Sequence, residues 1–323
     1  MEVYRTQDGQ VAKYVHDDGS ETAIKTTSSC SNVYDKETGK IVPIDVERGK
    51  FSMFISSSVG CPIGCRFCYL TVKKFPYHKL GARRIANNAR KALEAELKEK
   101  PELKEKYLKL SWMGMGDALL LPPEDIGHAT QSILDAALFR YGIKGMDGVD
   151  ISTVLPPKAK GWPFHLGVLN GILLDYKRNP HSKGRSPLRM FYSLHEMGNK
   201  QKKLVPIKKR NVWKDLETLN EFSYWYNVNI IIHHLFLEGI NDTRSHVEGL
   251  KLLIDRTCPD AELRVLRYNE CPNSKFKESS RFDELVKYSA EIIPKVKYQV
   301  SAGSEIKAAC GQFLCIRNKR GDV

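Results

Sequence analysis

Cys61-Pro62-Ile63-Gly64-Cys65-Arg66-Phe67-Cys68 sets three cysteines at C-x3-C-x2-C spacing, just after the apolar, strand-forming stretch Phe51–Ser56. Three thiolates this close in one loop can bind three corners of a single iron–sulfur cube. A [4Fe–4S] cluster ordinarily takes four cysteines. Three therefore leave one iron open for a chelating ligand, as catalytic zinc sites keep an open position. The other reading is a zinc knuckle completed by His78, but zinc ligands ordinarily come as two separated pairs.

Downstream of this loop, short apolar runs alternate with helical patterns. Strands are predicted near Phe51–Ser56, Leu108–Met113, Val149–Thr153, Met190–Leu194, Asn229–Leu237 and Glu262–Tyr268. Between the first three lie a helix near Leu80–Lys100, with Ile85, Ala89, Leu93 and Leu97 on one face, and another carrying Ile126, Ala129, Ile133 and Ala137. Repeated βα units favour a parallel sheet, open or curved into a barrel. Six such units place a site at the carboxyl-terminal edge of the strands. The basic, Pro/Gly-rich piece Tyr176–Pro187 reads as an exposed insertion. Upstream, Gln7-Asp8-Gly9-Gln10 and Asp17-Asp18-Gly19-Ser20 are hairpin signals, and Thr26–Lys50 reads as a long polar loop holding Cys30. The expected organisation is a small N-terminal β extension over residues 1–50 and a barrel over residues 51–323.

The 323 residues are 41% hydrophobic and 28% charged, which excludes a mainly disordered chain. No apolar run reaches the ~18 residues of a membrane span; even Val228–Leu235 is broken by His233 and His234. Met1-Glu2-Val3-Tyr4-Arg5 opens no signal peptide, so a cytoplasmic protein is expected. Eight cysteines then read as metal-binding or catalytic thiols. Lysine and arginine exceed acidic residues by 51 to 38, a formal +13, which suits a polyanion such as nucleic acid or simple solubility.

The cysteine spacing, with Phe67 before the last thiol, resembles the radical S-adenosylmethionine (SAM) superfamily. Further segments resemble its adenosine C2/C8 rRNA methyltransferases, the RlmN and Cfr families, from about Val3 to Leu314. Ser57-Ser58-Val59-Gly60-Cys61 is similar to the lead into that family's cluster loop, and Trp112-Met113-Gly114-Met115-Gly116-Asp117 to its glycine-rich SAM-binding turn. Ile151-Ser152-Thr153, Ser193-Leu194-His195 and Tyr268-Asn269 are similar to its other SAM-contacting strand ends. The resemblance implies a radical SAM partial (β/α)6 barrel, a [4Fe–4S] cluster on Cys61, Cys65 and Cys68, and SAM held by Gly116, Asp117, Ser152, Ser193, Leu194, His195 and Asn269. It implies two catalytic residues. Cys310, in Ala308-Ala309-Cys310-Gly311-Gln312, would carry a methyl group; taken alone it would read as a small buried hydrophobe. Glu21, in Gly19-Ser20-Glu21-Thr22-Ala23-Ile24, would be the proton acceptor, against a solvated edge-strand carboxylate as the other reading. Implied partners are rRNA or tRNA and an electron donor such as flavodoxin or ferredoxin, with no membrane and a monomeric chain.

Three departures stand out. The family's resolving cysteine, seven residues before the first cluster ligand, is replaced by Phe54, which can neither take a proton nor form a disulfide. Cys30, Cys271 and Cys315 are the substitute thiols, Cys271 first because it lies two residues past Asn269. Asp117-Ala118 stands where the family has Glu-Pro. A cluster loop beginning at residue 61 also leaves no room for the family's N-terminal RNA-binding domain in this sequence. Lys200, Lys202, Lys203, Lys208, Lys209 and Arg210 with Trp213, the pair Arg83-Arg84, and Arg317, Lys319 and Arg320 offer phosphate tracking and stacking or plain solvated faces. Three readings follow: an RNA adenine methyltransferase, a radical SAM enzyme acting on a peptide, nucleotide or DNA, and an RNA-binding protein with a structural cluster.

Overall fold

A computed structural model of the chain describes residues 1–26, 31–35, 38, 40–43, 49–182, 184–197, 201–207, 211–271, 273–299 and 303–308. Strands β1 (Glu2–Arg5), β2 (Val11–Val15) and β3 (Glu21–Lys25) form an antiparallel meander, turning at Gly9 and Gly19, both with positive φ. Strands β4 (Ser31–Asp35) and β5 (Lys40–Pro43) pair where a loop was expected. Each is only four or five residues long within a polar stretch, too short for alternation to stand out.

The rest of the chain winds βα units. In order come β6 (Lys50–Ile55), β7 (Ser58–Val59), α1 (Tyr69–Val72), β8 (His78–Lys79), α2 (Ala82–Glu99), β9 (Tyr107–Trp112), α3 (Pro123–Asp135), β10 (Gly145–Thr153) and α4 (Trp162–Leu173). Then follow β11 (Leu188–Ser193), α5 (Gln201–Leu204), α6 (Val212–Tyr226), β12 (Asn229–Leu235), α7 (Arg244–Thr257), β13 (Glu262–Leu266), α8 (Phe282–Ile292) and β14 (Val296–Gln299). Strands β6, β9, β10, β11, β12, β13 and β14 are parallel neighbours in that order. The sixfold expectation therefore gains a seventh parallel strand, β14, whose Val296-Lys297-Tyr298-Gln299 carries too few apolar residues to announce itself.

The meander extends one edge of this sheet through β3–β6 pairing, and β4 extends the other by pairing with β14. Only six residue steps separate Lys25 from Ser31, a reach of about 20 Å. The two flanks of the parallel sheet must therefore come close, and the sheet curls into a partial barrel. None of the described helices is long and apolar enough to cross a membrane.

Side-chain alternation explains the layers. Along β6, Phe51, Met53 and Ile55 are buried against the helices, while Lys50, Ser52 and Phe54 point to the other face. On α2, and on α3 with the π-helical turn Ala136–Arg140 that follows it, the expected stripes, from Ile85 to Leu97 and from Ile126 to Ala137, all join that core. Ion pairs join the strands: Asp150 accepts from Arg189 Nε at 2.5 Å and pairs with Lys109 Nζ at 3.1 Å on the two adjacent strands, and Asp147 meets Lys50 Nζ at 3.3 Å across β9. These cations hold the Asp150 and Asp147 carboxyls below the ordinary range against burial, which acts the other way.

Glu96, wholly buried on α2, ties the meander to the barrel by accepting from Arg5 Nη1 at 2.7 Å and from the Tyr14 hydroxyl. His16 lies beside Ser20 at the second turn, its Nε2 2.9 Å from Thr22 Oγ1, and burial pushes its pKa down to about 4. Its unfolded value is near 6.5. The unfolded chain therefore binds the proton first, and stability present above pH 6.5 is lost as pH falls towards 4. Its share is about 3 kcal/mol. Urea denaturation at pH 7 and pH 4.5 should show a smaller acid loss for His16→Gln than for the wild type; equal losses would contradict this assignment.

Candidate functional site

One cavity opens at the carboxyl edge of the parallel strands. It collects Cys61, Cys65 and Cys68 from the loop after β7, Gly116 and Asp117 after β9, Ser152 on β10, Ser193 and His195 at the end of β11, and Asn269 after β13. Leu194 is not among its lining residues: its side chain is fully buried in the main core, its N–H donates to the His233 carbonyl, and its own carbonyl faces His234.

The cysteine loop is held by its backbone. Cys68 N–H donates to the Cys65 carbonyl at 3.0 Å, and Arg66 N–H donates to the Leu204 carbonyl at 2.9 Å. Gly60, at φ +65°, packs so tightly that a Cβ would stand 2.3 Å from the Pro76 carbonyl oxygen. Phe67 meets the His195 ring edge-on at 4.8 Å, which joins the loop to the β11 strand end.

Burial pushes the Cys61 thiol up to about 12, opposed by the N–H groups of Ile63 and Gly64. A bound cationic metal would overcome this, since coordination deprotonates a thiol. Among the described residues no three His, Cys, Asp or Glu side chains stand together as ligands of a single ion, and His78 is exposed on β8. Three half-buried thiols around one cavity suit a multi-iron cluster better than a zinc knuckle.

The glycine turn works within the protein. A Cβ on Gly116, at φ +91°, would fall 2.2 and 2.4 Å from the hydroxyls of Ser58 and Ser57; one on Gly114 would strike the Ile55 carbonyl at 2.7 Å. These glycines let the turn close onto the end of β6, where Ser56 Oγ accepts from Met115 N–H and donates to the Glu21 carbonyl. Asp117 accepts from the Thr153 hydroxyl at 2.9 Å, Val154 N–H at 2.7 Å and Leu119 N–H at 3.0 Å. Its carboxylate thus clamps the end of β10 to the turn after β9.

Glu21 is not a solvated edge-strand carboxylate. Strand β3 lies between β2 and β6, and Glu21 is 1% exposed, with Oε2 3.8 Å from Lys13 Nζ. Lys13 in turn reaches the Lys307 carbonyl at 3.5 Å. A second apolar cluster lies behind the cysteine loop: Cys271, Tyr69, Leu70, Met115, Ala23 and Ala308 form it with Val11, and Phe54, Cys61 and Cys68 pack against it. Burial raises the Cys271 pKa while Lys73 and Lys307 oppose the rise. Cys310, Cys30, Cys315 and most of the expected basic cluster lie outside the described residues. Of the remaining cations, Arg84 binds Asp18 at 2.6 Å, and Lys203 is exposed. Thr153, His233, Arg267 and Tyr268 also line the cavity. For His233 the signal was the His-His pair inside an otherwise apolar strand.

No protein-family model matches the chain. It is 28% identical over 292 residues to the ribosomal RNA large subunit methyltransferase Cfr of Clostridium botulinum (strain Hall), covering 88% of this chain and 75% of that protein. It is 24% identical over 280 residues to the probable dual-specificity RNA methyltransferase RlmN of Aquifex aeolicus, covering 83% and 70%. In structure it is similar to a radical SAM methyltransferase from Sphaerobacter thermophilus, with a TM-score of 0.66 at 18% identity over 97% of this chain and 80% of that one. That likeness supports the fold.

Asp117→Asn puts an amide donor where the Thr153, Val154 and Leu119 donors converge. It should cost about 1–3 kcal/mol, read as a lower urea midpoint with an unchanged slope. A midpoint equal to wild type would rule out the clamp.

Proposed function

We propose that this chain, a relative of the Cfr and RlmN methyltransferases, is a radical SAM methyltransferase that methylates an adenine carbon, C2 or C8, of RNA. The observation that carries the proposal is the meeting of the three loop cysteines with four strand ends at a single cavity. Cys61, Cys65 and Cys68 would hold a [4Fe–4S] cluster and leave one iron for the amino and carboxylate groups of SAM. When bound and reduced, the cluster supplies the electron that cleaves SAM to a 5′-deoxyadenosyl radical.

The chain's own residues have distinct tasks. Ser152, Ser193 and Asn269 carry hydroxyl and amide groups suited to the ribose and carboxylate of SAM. Asp117, already engaged by three protein donors, acts by shaping the turn and not as a free acceptor. An adenine carbon has no lone pair to attack a sulfonium methyl directly. Cys310 as thiolate would first take the methyl from one SAM, forming its S–CH3 bond as the sulfonium S–CH3 bond breaks and S-adenosylhomocysteine leaves. Loss of a hydrogen atom from that methyl to the radical from a second SAM would then give the methylene carbon that bonds to the base. Its release as a methyl group would break the Cys310 S–C bond as the Cys271 thiol, first of the substitute thiols, forms a disulfide with Cys310, one proton and one electron being given up and the electron returning to the carrier that supplied it. Cys310 follows Ala308 by two residues, about 7 Å of chain at most, and Ala308 packs in the cluster that Cys61 and Cys68 touch. Glu21 would accept the departing base proton, its access depending on the same C-terminal segment that lies near Lys13. The target adenine must be unpaired or flipped out to reach the thiol, and the net charge of +13 favours an RNA partner. A flavodoxin- or ferredoxin-type donor would supply the electron.

After anaerobic cluster reconstitution and incubation with methyl-labelled SAM, mass spectrometry should find one labelled methyl on the Cys310 peptide, absent in Cys310→Ser. Deoxyadenosine formation without that methyl would keep a radical SAM enzyme and discard this methyl-carrier route. Methyl transfer independent of RNA would redirect the substrate to a peptide, free nucleotide or DNA. Replacing any one of Cys61, Cys65 and Cys68 by alanine should abolish the broad visible absorption of the reconstituted protein; retention of full iron content in all three would contradict the cluster assignment.

A further inference from the structure

The β11 strand end presents Ser193 and His195 to the cavity, and polar side chains that line no part of it hold its backbone from behind. His234 on β12 is completely buried, with Nδ1 2.5 Å from the Leu194 carbonyl oxygen. A carbonyl only accepts, so Nδ1 carries the proton. Burial, with His246 and His195 nearby, holds His234 well below the ordinary histidine range and therefore neutral. Its Nε2 is then a lone pair, facing His246 Nε2 at 3.3 Å and Asn241 Nδ2 at 3.5 Å.

The other orientations follow. His246, stacked on His234 with ring centroids 5.1 Å apart, must place a proton on Nε2, and its Nδ1 looks towards Glu196 Oε1 at 3.8 Å. Asn241 is 1% exposed; its amide donates to the carbonyls of Leu235 and His195, and its oxygen accepts from Leu237 N–H at 2.7 Å. The carbonyls of two consecutive residues, Leu194 and His195, are thus fixed from β12 and from the turn before α7, with His246 on α7 behind His234. Buried polar groups satisfied in this way rigidify a segment.

We propose that His234, Asn241 and His246 are positioning residues that hold the Ser193–His195 lip in the geometry for SAM, acting through the backbone carbonyls of Leu194 and His195. The inference rests on the proposed function for the identity of the ligand. Ser193 and His195 flank Leu194, so any rotation of the Leu194 carbonyl shifts both lining side chains. The contact of His195 with Phe67 passes that shift to the cysteine loop.

Two substitutions separate the hydrogen bond from mere packing. His234→Phe keeps the ring volume and removes the donor; His234→Asn is smaller but keeps an N–H near the Nδ1 position. Hydrogen–deuterium exchange of the peptide spanning residues 190–197, and equilibrium dialysis of labelled SAM against the anaerobically reconstituted protein, are the readouts. His234→Phe should exchange faster and bind SAM roughly tenfold more weakly, equivalent to about 1.4 kcal/mol. His234→Asn should recover affinity to within roughly threefold, half a buried hydrogen bond or less. Wild-type exchange and affinity in His234→Phe, or no recovery in His234→Asn, would overturn the proposal. If His234→Phe fails to fold, Asn241→Asp and the pair His246→Leu and His246→Gln decide it by the same readouts, the glutamine expected to recover what the leucine loses. A wild type that binds no SAM would refute the proposed ligand, while the exchange comparison would still decide whether the lip is held.

Discussion

Asp150 is a carboxylate with no access to water, and it spans three parallel strands. It lies on β10, binds Lys109 on β9 and binds Arg189 on β11. An unpaired charge at such a depth is prohibitive, so the three strands have to keep the register that brings the two cations to it. A slip of one residue would turn Lys109 or Arg189 into the helical layer and strand the carboxylate. The same cross-strand pairing recurs for Asp147 with Lys50 on β6, so four adjacent strands are indexed by charge. The cavity at the opposite ends of these strands inherits its alignment from this base.

At that upper edge the constraints are shapes and hydrogen bonds. Gly114 and Gly116 are small because the turn after β9 closes on Ile55, Ser57 and Ser58, and Asp117 fastens the turn to β10. The sequence pattern identified these residues but suggested a different reason for them: cofactor approach, where the structure shows contact between neighbouring strand ends. Both demands can act at one glycine. Asp117 differs, because three protein donors already engage its carboxylate.

Much of the fold was legible because its signals are local. Apolar stripes on α2 and α3, and runs such as Ile230–Ile232, follow the period of the element that buries them. Strands β4, β5 and β14 were not legible: each is only four or five residues long, and the pairing that adds the β4–β5 hairpin to the sheet, β4 with β14, joins segments far apart in sequence. At the site, cysteine spacing and strand-end position brought nearly every expected residue to one cavity. Leu194 does not line it, its backbone and not its side chain serving the strand end, nor does Glu21, and Cys310 lies outside the described residues. Glu21 shows a further limit. An exposed margin stayed open as the other reading of its strand because pairing of β3 with β6 cannot be inferred from the sequence of β3 alone.

The pairing of β4 with β14 also bears on how the chain acquires its structure. Ser31 lies opposite Gln299, so β4, paired with β5 on one side, has no partner on its other side until the parallel strands through β14 have been made. Its neighbours in sequence, β3 and β6, pair with each other and need not wait for it. During translation the β4–β5 hairpin is left as a two-stranded unit, marginal by itself, while the parallel units assemble one after another. Contacts of such sequence separation are the slow ones. Completion of that flank is therefore a late event, in which the barrel gains β14 and the waiting β4–β5 hairpin together.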